Sequence, residues 1–179
     1  RAFFRHSPPG FFLTGGGALA GFYLGHRGTK DLDLFTTGTG LDDGVRALQA
    51  AADDVGATLE ATQTYPDFRR FLMTRPGDSV VIDLVRDRAP QLFAEKRVID
   101  GVVVDPIEEI FANKLCTVLS RCEARDLVDL MMLERAGQRV EDALGPASAK
   151  DGGLTPGQLA WVVSQIEVGA DAKPPGGVS

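Results

Sequence analysis

The 179-residue chain is 44% hydrophobic and has a formal net charge of -6, a composition that suits one compact domain with a substantial core. No stretch approaches the ~20 uninterrupted apolar residues of a membrane-spanning helix, so we expect a soluble, cytoplasmic protein with no leader before the fold. The negative charge argues against broad, salt-driven binding of nucleic acid, but it leaves recognition of an RNA end open.

The first third of the sequence alternates apolar runs with turn residues and helical patterns. The predicted elements are, in order, a strand at 11–14, a tight glycine turn at 15–17, a short helix at 18–24, a strand at 30–35, a helix capped by Asp42 and Asp43, and a strand at 57–63.

Two hairpins are predicted for the middle of the chain, followed by helices. The first hairpin joins strands 68–74 and 79–85, and the second joins 98–99 and 102–104 around AspGly. A helix through Cys122 follows, with Asp105 as N-cap, Pro106 in its first turn and Glu108 as capping-box acid. The next helix carries ArgAspLeuValAspLeu, and Thr155 and Pro156 begin the last one. Strands that precede helices in this way predict an α+β fold with a mixed sheet.

Asp31 and Asp33 form the most informative pair of side chains. Side chains two residues apart on a strand project from the same face, so these two carboxylates lie side by side. Their repulsion is relieved by a divalent cation with oxygen ligands, although a solvated pair bridged to Arg27 or Lys30 is an open alternative. Asp83 adds a carboxylate among large apolar residues, where an acid is costly without a metal or a cation.

A phosphate site is predicted one short helix before this pair. Gly15 and Gly16 follow a strand and precede a helix, so their backbone N–H groups can point at a phosphate tail, and the helix N-terminus adds a favourable dipole. The sequence therefore predicts a phosphate site close to a metal-binding pair of carboxylates.

These motifs resemble the AbiEii/AbiGii toxin family, which belongs to the DNA polymerase β-like nucleotidyltransferase superfamily. The resemblance covers residues 11–133 and rests on GlyGlyGlyAlaLeuAla, ArgGlyThrLysAspLeuAspLeuPhe, LysLeu and ArgAspLeuValAspLeu. It implies a nucleotidyltransferase fold, with a mixed β-sheet flanked by helices and a helical C-terminal part. It also implies a bacterial toxin of a toxin–antitoxin pair that transfers NMP from an NTP to an RNA, such as tRNA, or to a protein, with Mg²⁺ or alternatively Mn²⁺ as cofactor.

The resemblance also assigns roles to individual residues. Those implied to be catalytic are Asp31, Asp33, Asp83, Lys114 and Asp126. Those implied to bind the nucleotide are Gly15, Gly16, Arg27, Thr29, Lys114 and Asp129, and those implied to bind metal are Asp31, Asp33 and Asp83. A cognate antitoxin is a further implied partner.

Structural alternatives stay open for several of these residues. Lys114 interrupts an apolar helical stripe and is either a phosphate ligand or a snorkelling side chain. Arg125 and Asp129 are i, i+4 neighbours, which is also typical of an exposed helix network. Cys116 and Cys122 are predicted to be reduced core thiols. His26 is predicted as a loop residue and Trp161 as a core residue.

We expect a nucleotidyltransferase core at residues 1–135, a helical extension with about one helix at 136–168, and a disordered tail at 169–179. Two alternative functions are retained. The spacing of Gly15, Gly17 and Ala20 after a strand nearly matches a dinucleotide-binding oxidoreductase, although Asp31 begins its strand instead of ending one. The other alternative is a non-catalytic binding module of the same fold.

Overall fold

A computed structural model describes residues 1–38, 40–121 and 123–166, and the chain divides into two compact units. The sheet unit comprises Arg1–Ala18, Thr29–Arg88 and Glu95–Asp105. The helical unit comprises Leu19–Gly28, Ala89–Ala94 and Pro106–Ser179, of which the described part ends at residue 166. The predicted boundary at residue 135 stays a prediction, and the predicted tail at 169–179 lies outside the described residues.

The sheet unit holds a seven-stranded mixed sheet, which confirms the predicted α+β class. Its strands are β1 Phe11–Thr14, β2 Asp31–Thr36, β3 Thr58–Tyr65, β4 Phe68–Arg75, β5 Asp78–Arg86, β6 Arg97–Ile99 and β7 Val102–Val104, in the spatial order β3-β4-β5-β2-β1-β7-β6. Strand β2 is parallel to β5 and antiparallel to β1. Because the first two strands of a dinucleotide-binding unit are parallel, the oxidoreductase alternative is wrong.

Both predicted hairpins are present. Strands β4 and β5 pair in antiparallel register from Phe68 opposite Val85 to Arg75 opposite Asp78. Strands β6 and β7 meet at Asp100 and Gly101, whose φ angles are 52° and 77°. Two successive residues of positive φ are typical of the tight two-residue turn that AspGly favours.

The sheet unit also contains helices α1 Ala2–His6, α2 Gly15–Ala18 and α3 Leu41–Asp54. Two local predictions are corrected here. The glycines form no separate turn, because the left-handed conformation of Gly15 alone redirects the chain and helix α2 starts at that residue. The N-cap of α3 is Gly40, and no side chain caps this helix. Asp42 and Asp43 lie in its first turn instead, where their negative charges stabilise the helix through its dipole.

The helical unit begins with a π-helical segment at Leu19–Leu24 that continues α2. It also contains α4 Ile107–Ser120, α5 Ala124–Arg135, α6 Val140–Lys150 and α7 Pro156–Ser164. Two helices therefore follow Leu133, where one was predicted. Helix α6 was missed because Pro146 lies inside it, and proline usually breaks a helix.

The ends of α4 and α7 test the predicted caps. Asp105 does not cap α4: the N-cap is Pro106, and the Asp105 carboxylate accepts hydrogen bonds from Thr14 at 2.7 Å and Lys96 at 2.5 Å. Helix α4 ends at Ser120, and Cys122 lies outside the described residues. The predicted cap of α7 is confirmed, because the Thr155 hydroxyl accepts from the backbone N–H of Gln158 at 3.1 Å.

Trp161 and Cys116 of the helical unit were both predicted to lie in the core. Trp161 was predicted to be buried, but it is 65% exposed, so that prediction is wrong. Cys116 is a half-buried free thiol, and burial raises its pKa.

Across the described ranges, no helix is both long and apolar enough to cross a membrane.

Candidate active site

Three aspartates share one face of the sheet, which we call the acidic face: Asp31, Asp33 and Asp83. Asp31 and Asp33 lie two residues apart on β2 and so point to the same side. Asp83 on β5 is the register partner of Asp33 in the neighbouring parallel strand. Residues directly opposite in adjacent strands project from the same face, so the sheet brings together the three acids that the sequence predicted.

Arg70 occupies the outer side of this face. It lies on β4 as the register partner of Asp83, and its Nε and Nη2 atoms each donate a 2.7 Å hydrogen bond to a different oxygen of that carboxylate. These bonds, opposed by burial, raise the pKa of Arg70, and the charges of all three acids raise it further. The guanidinium is therefore a permanent cation within the field of the acidic face.

Gly15 lies against Asp33. A Cβ atom built on Gly15 would lie 2.3 Å from Asp33 Oδ2, and the φ angle of this residue is +64°. Only glycine satisfies both conditions, because any side chain would collide with the carboxylate and would strain the backbone. Gly16 follows as the second residue of helix α2. The glycine motif thus places the start of a helix directly against one acid of the acidic face.

The acidic face has carboxylate oxygens of the kind that bind a divalent cation. In the described ranges, no group of three or more His, Cys, Asp and Glu side chains is arranged to hold a metal ion as it stands. Both oxygens of Asp83 face Arg70. The donor set itself fits Mg²⁺, because carboxylate oxygens are hard ligands and the space beside Asp33 is kept open by a glycine.

Thr29 precedes β2 and has a structural contact. Its hydroxyl donates a 3.0 Å hydrogen bond to the backbone carbonyl of Asp31 and accepts one from the Asp31 backbone N–H at 3.3 Å. This closed turn orients the first residue of the acidic face.

The helical unit contains four predicted site residues together with His26, a group that we call the buried charge cluster: His26, Arg27, Lys114, Asp126 and Asp129. Asp129 accepts hydrogen bonds from His26 Nε2 at 2.7 Å and from Arg27 at 2.7 and 2.9 Å. The Lys114 ammonium lies 2.8 Å from Asp126 Oδ1 and 2.7 Å from Asp129 Oδ2. Both aspartates are fully buried.

This cluster overturns both structural alternatives for its members. Lys114 is only 8% exposed and its ammonium is held by two carboxylates, so the snorkelling interpretation is wrong. The exposed network of Arg125 with Asp129 is also wrong, because Asp129 is fully buried. Arg125 pairs with Glu123 at 2.8 Å. His26 is a loop residue, as predicted, but its burial and its bond to Asp129 could not be inferred from its neighbours in sequence.

A family model described as nucleotidyl transferase AbiEii toxin of a type IV toxin–antitoxin system matches residues 1–163. The chain belongs to the AbiEii family. This membership makes it a nucleotidyltransferase of a toxin–antitoxin family, which confirms the predicted resemblance and enzyme class against the alternative of a non-catalytic module.

Two solved structures from Helicobacter pylori share the fold of this AbiEii chain. A candidate nucleotidyltransferase is 23% identical with a TM-score of 0.61, and the match covers 94% of this chain and 79% of that one. The protein JHP933 is 18% identical with a TM-score of 0.62, and the match covers 91% and 85% of the two chains. No curated protein gives a significant match to the sequence.

The glycine beside the acidic face leads to a first prediction for this AbiEii enzyme. We expect Gly15→Ala to displace the Asp33 carboxylate and to lower nucleotidyl transfer by on the order of a hundredfold, because a shift of about 1 Å in a site has that effect. Transfer rate and circular dichroism would be measured together. Gly21→Ala is the control, since a Cβ there meets nothing within 4 Å. Equal activity of the two variants would contradict the prediction.

The buried charge cluster predicts a pH dependence of stability. Burial is the largest influence on Asp129 and raises its pKa. Hydrogen bonds from Arg27, Lys114 and His26, with the charge of Lys114, outweigh burial and lower the pKa from 3.8 to about 2. A carboxyl with a lowered folded-state pKa stabilises the protein above its unfolded-state pKa, and this contribution is lost as the pH falls from about 4 to about 2.

We expect this loss to amount to about 2 kcal/mol for Asp129. Urea unfolding between about pH 5 and pH 2 would measure it, and the free energy of unfolding should fall more steeply for wild type than for Asp129→Asn. Asp78→Asn changes an exposed acid and should keep the wild-type slope. Parallel slopes for wild type and Asp129→Asn would contradict the prediction.

Proposed function

We propose that the protein transfers NMP from a nucleoside triphosphate to an RNA or protein acceptor, with Mg²⁺ ions held by Asp31, Asp33 and Asp83 and Mn²⁺ as an alternative cofactor. One observation carries this proposal: Asp33 lies directly opposite Asp83 in the parallel β2–β5 pair, while Gly15 leaves room for its carboxylate. Membership of the AbiEii family supports the class of reaction.

In the proposed reaction, a hydroxyl oxygen of the acceptor attacks the α-phosphorus, the bond from that phosphorus to the pyrophosphate oxygen breaks, and pyrophosphate leaves. Bound metal ions would offset the negative charge of the phosphates. The backbone N–H groups of Gly15 and Gly16 would donate to phosphate oxygens, as the start of a helix favours. Asp83 would accept the proton of the attacking hydroxyl.

The residues of the buried charge cluster are proposed as nucleotide contacts on the strength of the family resemblance. Lys114 would donate to phosphate oxygens with Asp126 as its partner, and Arg27 with Asp129 would help to hold the nucleotide. Thr29 is a further proposed nucleotide contact. The tight internal pairing of Lys114 supports a positioning role for Asp126 and Asp129, because each carboxylate fixes the ammonium.

The biological partners follow from the family. A cognate antitoxin is proposed because the family model describes the toxin of a toxin–antitoxin system. We further propose that the enzyme acts in the bacterial cytoplasm, where nucleoside triphosphates and tRNA occur together.

The proposal is tested by incubating the protein with each α-labelled nucleoside triphosphate, Mg²⁺ and either total bacterial RNA or total bacterial protein. We expect label to appear in one acceptor fraction with stoichiometric release of pyrophosphate. Asp33→Asn should form both products about 10²–10³-fold more slowly than wild type. Label in RNA and label in protein distinguish the two acceptors, and pyrophosphate release without transferred label would contradict nucleotidyl transfer.

A further inference from the structure

Arg70 belongs to a row of residues that crosses three strands on the acidic face. The row runs from Arg70 on β4 through its register partner Asp83 on β5 to Asp33 on β2. The neighbouring Arg69 points to the opposite side of the sheet, as strand alternation requires, and pairs with Asp42 of α3. Arg70 is therefore the arginine of β4 whose charge is directed at the acidic face.

The Arg70–Asp83 contact is incompatible with metal binding by the same oxygens. Each Asp83 oxygen accepts a 2.7 Å hydrogen bond from the guanidinium, a bidentate geometry that is among the strongest ion-pair arrangements. A carboxylate held in this way presents a fixed counter-charge, and a divalent cation approaching Asp83 would also meet a positive guanidinium.

The contact is nevertheless built so that it can open. The Arg70 side chain is 41% exposed, whereas that of Asp83 is 13% exposed, so the arginine can move into solvent while the aspartate stays in place. The guanidinium carbon lies 5.5 Å from the centre of the Phe68 ring, a cation–π contact at the sheet surface.

We propose that Arg70 is an internal counter-ion of Asp83 that a divalent cation must displace before the acidic face binds metal. This inference rests on the proposed function of Asp31, Asp33 and Asp83 as metal ligands. Arg70 is then a positioning residue that holds Asp83 in its metal-free orientation. The contact sets the metal concentration at which the third carboxylate becomes available.

The test is calorimetric titration of the metal-free protein with Mn²⁺. We expect Arg70→Met to bind Mn²⁺ on the order of tenfold more tightly than wild type, because it removes the competing charge and keeps an unbranched side chain at this position. Arg70→Lys should fall between the two, since an ammonium keeps the charge but cannot grip both oxygens.

Arg75→Met is the matched control for a lost positive charge. Arg75 lies on the same strand and pairs with an aspartate, Asp78 at 3.1 Å, but that pair is exposed at the end of the hairpin. Its Mn²⁺ affinity should equal that of wild type. Circular dichroism of each variant checks folding, and Arg70→Lys serves as the readout if Arg70→Met does not fold.

The outcomes separate this inference from the proposed function. Asp33→Asn should lose Mn²⁺ binding if the acidic face is the metal site. Binding that is lost in Asp33→Asn but unchanged or weaker in Arg70→Met and Arg70→Lys would overturn the counter-ion role alone. Mn²⁺ binding that is insensitive to Asp33→Asn, or absent from wild type, would overturn both proposals.

Discussion

Asp33→Asn is expected to lower nucleotidyl transfer by about 10²–10³-fold while the protein stays folded. The carboxylate lies opposite Asp83 and against Gly15, at the centre of the acidic face. Asparagine keeps the planar shape that fits beside Gly15 but removes the charge that a metal ion requires. The measurement is the rate of transfer at saturating Mg²⁺, with circular dichroism as the check of folding.

Asp78→Asn is the matched control for this prediction. Asp78 is an aspartate of the same sheet, at the exposed start of β5, and its carboxylate pairs with the exposed Arg75. The control should retain wild-type transfer. Wild-type transfer by Asp33→Asn would eliminate the acidic face as the catalytic site.

Lys114→Met is expected to lower the free energy of unfolding by about 3–5 kcal/mol, the usual effect of removing one partner of a buried ion pair. Asp126 and Asp129 are fully buried and both bond to this ammonium, so its removal leaves their buried charges with fewer partners. The melting temperature should fall by roughly 10 °C. Thermal unfolding followed by circular dichroism measures this change.

Arg121→Met removes an exposed pair with Glu123 in the same unit and should change the free energy of unfolding by less than about 1 kcal/mol. Nucleotide affinity of Lys114→Met, measured well below its melting temperature, tests the phosphate contact separately. An unchanged melting temperature would show that the ammonium is not held between the two aspartates. Unchanged affinity would remove Lys114 from the nucleotide site.

The sequence was sufficient to predict the parts of the fold that depend on local pattern. Alternation at Asp31–Thr36 and turn residues between β4 and β5 correctly gave a strand and a hairpin, because side-chain period and turn chemistry are local properties. The same alternation placed Asp31 and Asp33 on one face. Asp83 was predicted from its apolar flanks, which make a lone acid costly.

Other features depend on contacts that no local pattern encodes. The pairing of Arg70 with Asp83 follows from the register of β4 on β5, and that register was not predicted residue by residue. Lys114 was left between two interpretations because its burial depends on helix α5 packing nearby, which supplies both carboxylates. Asp105 was predicted as a helix cap, but its carboxylate bonds instead to Thr14, which is 91 residues away in sequence, and to Lys96.

The interleaved composition of the two units has a consequence for biosynthesis. The helical unit is formed from three separate stretches of chain. His26 and Arg27 are synthesised before their partner Asp129, which is 103 residues later than His26. At about 5–20 residues per second, a ribosome needs roughly 5–20 s to reach that aspartate. During this interval the histidine and arginine have no native partner in Asp129. The buried charge cluster therefore assembles only after Asp129 has left the ribosome, and products truncated before that residue cannot form it.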